Sequence, residues 1–367
     1  MKFASIALCL SSLFAVAACG QSNQTTSNAA TDTQASSNTH SNQRSFTIAA
    51  TGGNYQDAIR TLYFKPFSEK IKQPVLDEVF DGGFGIIQAK VQGGNANWDV
   101  VQMEAQDLIR ACDDGLLEPL DWAKLGGKES FIDSATFSEC GVGSIMWSTA
   151  IVYDGNKLQD GPKSWADFWD LKQFPGKRSL RKTPEYALEA ALLADGVQTD
   201  QVYPLLETEE GINRAFKKLD EIKSQVLWWD SGAQPLQFLA SGEVSMAAAF
   251  NGRVTGMNRT EGTNFKIVWN ESLYGIDSWT ILKGSPYKDV GMDFIAYATS
   301  ADIQSKLPET QAYGITNKAA ISKVSPQLAA DLPSTPANMQ GAFAWNATYW
   351  VDRSEELTAR FNAWLAN

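Results

Sequence analysis

The chain carries one histidine in 367 residues, His40, and four cysteines, Cys9, Cys19, Cys112 and Cys140. His40 lies in a stretch made almost wholly of Ser, Thr, Asn, Gln and Ala, so the rest of the chain has no imidazole. Ser-His-Asp and Cys-His arrangements for nucleophilic catalysis are therefore unavailable. HExxH and Cys/His zinc spacings are absent, and no metal site is expected. No GxxxxGK(S/T) phosphate loop occurs, and Gly82-Gly83-Phe84-Gly85 lacks the dinucleotide pattern and reads as a strand-to-helix turn. No organic cofactor is expected either. Carboxylates are plentiful, with 42 Asp and Glu, which leaves a carboxylate-pair hydrolase as the one catalytic alternative. The expectation is a protein that binds and does not catalyse.

The N-terminus points to export. Met1-Lys2 precedes an almost uncharged apolar run from Phe3 to Ala18, shorter than the roughly 20 residues that cross a hydrocarbon core. A charged start, an apolar middle and small residues at the end make a secretory signal. Val16-Ala17-Ala18 directly before Cys19 resembles a bacterial lipobox, in which the cysteine sulfur receives a diacylglycerol. Residues 20 to 43 are too polar to bury a core and read as a disordered tether, with a reach on the order of 27 Å. Cys9 leaves with the signal and Cys19 is the lipidation candidate, so Cys112 and Cys140 remain as a pair that an oxidising compartment would bridge. The expected location is the periplasm, lipid-anchored to a membrane, or the cell surface in a Gram-positive organism.

After the tether about 320 residues remain, enough for two lobes with sizeable cores. A net charge of −11 without a basic cluster argues against nucleic acid as a partner. Short β-like runs alternate with amphipathic helices, which implies an α/β architecture. Phe46–Ala50, Val75–Phe80 and Asp99–Val101 read as strands, as does Ile145–Tyr153. Helices are expected from about Tyr55, where Pro66 kinks or restarts the run, and through Leu108, Ile109 and Ala111 to a stop near Gly115. Further helices are read from Ser164 as an N-cap, from Pro184 to Gly196, over Gly211–Lys223, Gln234–Ala240 and Tyr287–Ala298, and over Ser354–Leu365. Trp165, Trp169 and Trp364 read as packing residues on these helices.

Five phrases, Trp98-Asp99-Val100-Val101, Gly115-Leu116-Leu117-Glu118-Pro119-Leu120, Gly242-Glu243-Val244, Phe250-Asn251-Gly252 and Tyr313-Gly314-Ile315-Thr316-Asn317, together resemble the spermidine/putrescine-type substrate-binding proteins of ABC importers. The resemblance runs over most of Phe46 to Asn367. It implies a two-lobed α/β periplasmic-binding-protein fold of type II with the ligand cleft between lobes. The first lobe would take residues 45–149 and 273–335, the second 150–272, and 336–367 would form a C-terminal helical segment. It also implies a monomer that hands a small amine to an ABC permease.

For a polyamine, such a cleft needs aromatic faces for methylenes and cations and carboxylates at the ends. The resemblance brings Tyr55, Glu104 and Gln106 to the cleft from the first lobe, and Phe250 with Asn251 where the family has Trp-Asn-Gly. The family's Trp-x-Asp-Ser becomes Gly275-Ile276-Asp277-Ser278, which keeps the carboxylate of Asp277 and loses the tryptophan. Tyr274 or Trp279 would have to replace that ring, and strand alternation admits only one. A pair of family carboxylates maps near Thr183 and Tyr186, with Glu185 between them, so one acid is missing or displaced. Trp229 is a candidate wall. An ammonium left unpaired in a closed cleft is costly, and the alternative is therefore a zwitterion such as an amino acid derivative or betaine. Arg181, Arg253 or a helix N-terminus would then hold its carboxylate.

Overall fold

The computed structural model describes residues 44–80, 82–94 and 97–367; the signal segment, Cys19 and the tether lie outside the described residues. Its strands are β1 (Phe46–Ala50), β2 (Val75–Val79), β3 (Val100–Glu104), β4 (Gly141–Asp154), β5 (Arg178–Arg181), β6 (Val226–Trp229), β7 (Met246–Phe250), β8 (Phe265–Ile281) and β9 (Phe343–Ala344). They are linked in the order β2-β1-β3-β8-β4-β7-β5-β6, with β9 also paired to β8.

Two long central strands build both lobes. β4 spans 14 residues and β8 spans 17, and they run antiparallel to each other. One end of the pair receives β3, parallel to β1 and followed by β2. The other end receives β7, then the parallel strands β5 and β6. An antiparallel ribbon buried on both faces reads as a near-continuous apolar run, which is how Val142 to Val152 looks in the sequence.

Each lobe has its own core. In the first, Phe46, Phe64, Phe67 and Trp279 crowd round Phe294, with Trp279 meeting it edge-on at 5.4 Å. In the second, the apolar stripe Ile212, Ala215, Phe216 and Leu219 of the helix Glu209–Asp220 packs on the helix Pro184–Ala194. Trp165 and Trp169 are buried there too. The terminal helix Ala347–Ala366 adds Trp350, Leu357 and Phe361 to this second core, and Trp228 packs against Phe361 at 5.5 Å.

Two local readings change, and two turn readings hold. The helix expected to run from Pro184 is broken at its start: Glu185 is extended (φ −57°, ψ 138°) and Tyr186 is left-handed (φ 69°, ψ −34°), so regular helix begins after Tyr186. The terminal helix begins at Ala347 and not Ser354, because Asn346 caps it by accepting from the Tyr349 N–H at 3.0 Å. At Pro66 the chain restarts: a π-type turn over Arg60–Phe64 passes into the helix Lys65–Ile71, with the proline in its first turn. Gly83, at φ 119°, makes the turn into the helix Phe84–Gln92, and its N–H donates to Asp107. A side chain there would be strained.

A candidate ligand-binding cleft

Four of the chemistry-bearing residues are the last residues of their strands: Glu104 on β3, Arg181 on β5, Trp229 on β6 and Phe250 on β7. In open sheets with parallel strands, ligands collect outside the carboxyl ends of the strands. Here those ends lie at the crossing of the two lobes.

The first-lobe wall is acidic. Glu104 and Asp277 are register partners in the β3–β8 pair, so both side chains rise from the same face of the sheet. Glu104 opens to the cleft and forms no ion pair or side-chain hydrogen bond among the described residues. The protein walls push its carboxyl up, Arg181 opposes this, and Asp107 and Glu185 reinforce it. Asp277 is buried, and burial followed by the Glu104 charge raises it well above the carboxylate range. One group resists: the Trp147 Nε1–H donates to Asp277 Oδ1 at 2.9 Å.

Behind the acids stands a polar layer. Gln102, two residues before Glu104 and so on the same face, donates from Nε2 to the Tyr55 hydroxyl and to Ser144 Oγ, both at 2.7 Å. Its Oε1 is buried without a partner. Tyr55 meets Tyr313 edge-on at 5.5 Å.

The second-lobe wall is aromatic and basic. The Arg181 guanidinium lies 5.5 Å from the Tyr186 ring centroid, 5.7 Å from Trp229 and 6.0 Å from Phe250, distances at which ring faces attract a cation. It is half-buried and makes no ion pair or side-chain hydrogen bond among the described residues. The left-handed Tyr186 aims its ring between Trp345, stacked at 6.4 Å, and Phe250, edge-on at 6.2 Å. Backbone strain of this kind on a bulky residue collects at ligand clamps.

The floor comes from a residue that sequence reasoning passed over. Trp147 on β4 is the register partner of Gly275 on β8, and its ring meets Phe250 at 5.7 Å, Tyr186 at 6.0 Å and Trp345 at 6.2 Å. A Cβ on residue 275 would meet Trp147 Cζ2 at 2.2 Å. The tryptophan missing from position 275 is thus replaced in space by one from the neighbouring strand. Neither residue expected to supply that ring does so: Trp279 is spent on the first core beside Phe294, and Tyr274 takes the opposite face from Gly275 and Asp277.

The other expected residues are spread around this centre. Glu185 is half-buried and close enough for its charge to raise Glu104. Asn251 is fully buried with both ends of its amide committed, Oδ1 to the Ser148 N–H and Nδ2 to the Ala312 carbonyl; it ties the second lobe to the central ribbon. Arg253 is exposed, with its guanidinium stem against Gly232 and no ion pair among the described residues. Gln106 lines an outer polar recess of about 370 Å³ with Arg110 and Ser354. Trp345, directly after β9, was passed over in the sequence, and Tyr313 appeared there only within a family phrase, because neither carries a local signal of the cleft. Cys112 and Cys140 are disulfide-bonded, with Cα atoms 5.8 Å apart. Among the described residues no three His, Cys, Asp or Glu are grouped to hold a metal ion, and no helix is long and apolar enough to cross a membrane.

A family model for bacterial extracellular solute-binding proteins matches residues 80–351. A gamma-aminobutyric acid-binding protein from Pseudomonas aeruginosa is 44% identical over 323 residues, 88% of this chain and 91% of that one. An ABC transporter substrate-binding protein from Bradyrhizobium japonicum shares the fold with a TM-score of 0.80 at 34% identity, over 88% of this chain and 99% of the other. A solved GABA receptor follows at 0.78 and 34%, covering 88% and 98%. The binding protein MotA of A. tumefaciens in complex with glucopine gives 0.76 at 32%, covering 88% and 99%.

Proposed function

The chain belongs to the bacterial extracellular solute-binding protein family, and from that premise we propose that it captures a short zwitterion of the ω-amino acid class, gamma-aminobutyrate or a close analogue, for an ABC importer. The observation that carries this reading is the unpaired Arg181 guanidinium standing across the cleft from the carboxyls of Glu104 and Asp277. A ligand with an ammonium at one end and a carboxylate at the other matches both walls. The ammonium goes to Asp277 and Glu104, beside the ring of Trp147. The carboxylate goes to Arg181, whose planar fork suits it.

A diamine fits this cleft worse. Its second ammonium would lie against Arg181, and like charges facing each other in a closed site discriminate strongly against a ligand. The polyamine expectation therefore gives way to the zwitterionic alternative, a choice the 44% identical gamma-aminobutyric acid-binding relative also favours. Each lobe holds one charged half of the ligand, so binding favours the closed state, in which both halves are met. Lipid anchoring through Cys19 and delivery to a permease complete the reading.

Calorimetric titration of the purified protein with 4-aminobutanoate and with putrescine tests it. Saturable binding of 4-aminobutanoate with little response to putrescine is expected. Tighter binding of putrescine would return the site to the polyamine class.

A further inference from the structure

We propose that Trp147 and Gly275 form the specificity-determining pair of this cleft: the absent side chain at 275 admits the indole of 147, and its N–H fixes Asp277 so that one carboxylate oxygen alone faces the ligand's ammonium. The proposal deepens the zwitterion reading and rests on it. Three observations carry it. The two residues are register partners on β4 and β8. A Cβ at 275 would meet the indole at 2.2 Å, so the ring's place depends on glycine there. The Nε1–H donates to Asp277 Oδ1 at 2.9 Å, while Oδ2 makes no hydrogen bond among the described residues.

The consequence is chemical. A carboxylate with one oxygen already occupied offers the other to a single N–H donor in a set direction, and the ring beneath it offers a face to the same cation. The pair thus selects a compact primary ammonium on an unbranched chain over a longer or branched cation. Trp147 acts both as a ring against the ligand and as a positioning residue for Asp277. Its N–H also favours the ionised form of Asp277 against the opposing effects of burial and Glu104. The other charged or titratable groups facing the two acids are Arg181, Glu185, Asp107, Arg253, Tyr55, Tyr186 and Tyr313.

Trp147→Phe keeps a ring and removes the N–H, and Gly275→Ala displaces the indole. Each is titrated with 4-aminobutanoate across a pH series, with thermal unfolding as a check that the fold is intact. Both are expected to bind about tenfold more weakly near neutral pH, the loss of one hydrogen bond to a charged group. For both, the pH of half-maximal affinity is expected to move upward by about half a unit or more, because Asp277 has lost its donor. Weaker binding with an unmoved pH profile would make Trp147 a packing residue and overturn the proposal, as would unchanged affinity. Wild-type protein that ignores 4-aminobutanoate would overturn the receptor reading itself, and this proposal with it.

Discussion

Glu104 and Asp277 are direct partners across the β3–β8 pair, two carboxyls on one cleft wall; among the described residues the one side-chain donor to either is Trp147 Nε1, which serves Asp277. Burial, and then the charge of Glu104, pushes Asp277 up to about 8, and burial raises Glu104 as well, so near neutral pH an arriving ammonium is expected to displace a proton from Asp277.

Ligand binding should therefore release a proton. Titration at about pH 7 in buffers of different ionisation enthalpy is expected to show close to one proton released, with affinity rising between about pH 6 and about pH 8. The effect on stability has the opposite sign. A carboxyl raised by folding contributes stability below its unfolded value, about 4, and loses it as pH climbs through its folded value. The melting temperature of the ligand-free protein should fall over that window, and saturating ligand should remove part of the fall. Equal heats in all buffers would show that the pair is already ionised.

Arg181 is the expected carboxylate anchor. Arg181→Ala should weaken 4-aminobutanoate binding about a hundredfold, near 3 kcal/mol, by removing a charge-assisted pair in a partly desolvated site. Arg181→Lys retains the charge without the fork and should lose about tenfold. The alanine variant should also bind putrescine better than the wild type does. Calorimetry with both ligands reads the two effects.

Glu189 makes a second, separate pH dependence. It is fully buried on the helix Pro184–Ala194, where Oε1 accepts from the Tyr203 hydroxyl at 3.0 Å and from Trp350 Nε1 at 2.8 Å, while Oε2 has no partner. Burial pushes its carboxyl up to about 7, against those two donors. Its contribution is fully present below the unfolded value and disappears as pH rises past about 7. Glu189→Gln keeps an acceptor and cannot ionise. Chemical denaturation should find it close to wild type at about pH 5.5 and more stable by about 2 kcal/mol at about pH 8.5. No difference between the two pH values would show that Glu189 does not ionise in this range.

The Cys112–Cys140 bond closes a sequence separation of 28 residues within the first lobe. Replacing both cysteines with alanine should lower unfolding free energy by about 3–4 kcal/mol on the chain-entropy account. Affinity should not change, since neither cysteine lines either cleft wall. A variant with wild-type stability would refute the estimate, and one with lost affinity would show that the bond reaches the site.

Much of this was legible in residue types. The lone His40 ruled out imidazole chemistry whatever the fold. Glu104 and Phe250 were brought to the cleft only by the family resemblance and by no local pattern, while the short apolar run Asp99–Val101 marked β3 because such a run is a local feature. The stripe Ile212, Ala215, Phe216 and Leu219 marked its helix for the same reason. Arg181 was legible only as a cation available to a carboxylate. Its setting among Tyr186, Trp229 and Phe250 depends on three parallel strands ending together and on a left-handed turn at Tyr186.

The sequence alone thus pointed to an α/β chain with no imidazole beyond His40 and with a surplus of rings and acids. The tertiary structure decided which ring meets which acid. Trp147 and Asp277 are separated by 130 residues and touch because β4 and β8 pair in one register. A slip of one residue would put the two side chains on opposite faces of the sheet. That register is set by the packing of two lobes on a shared ribbon, a property of the whole chain that no local pattern carries.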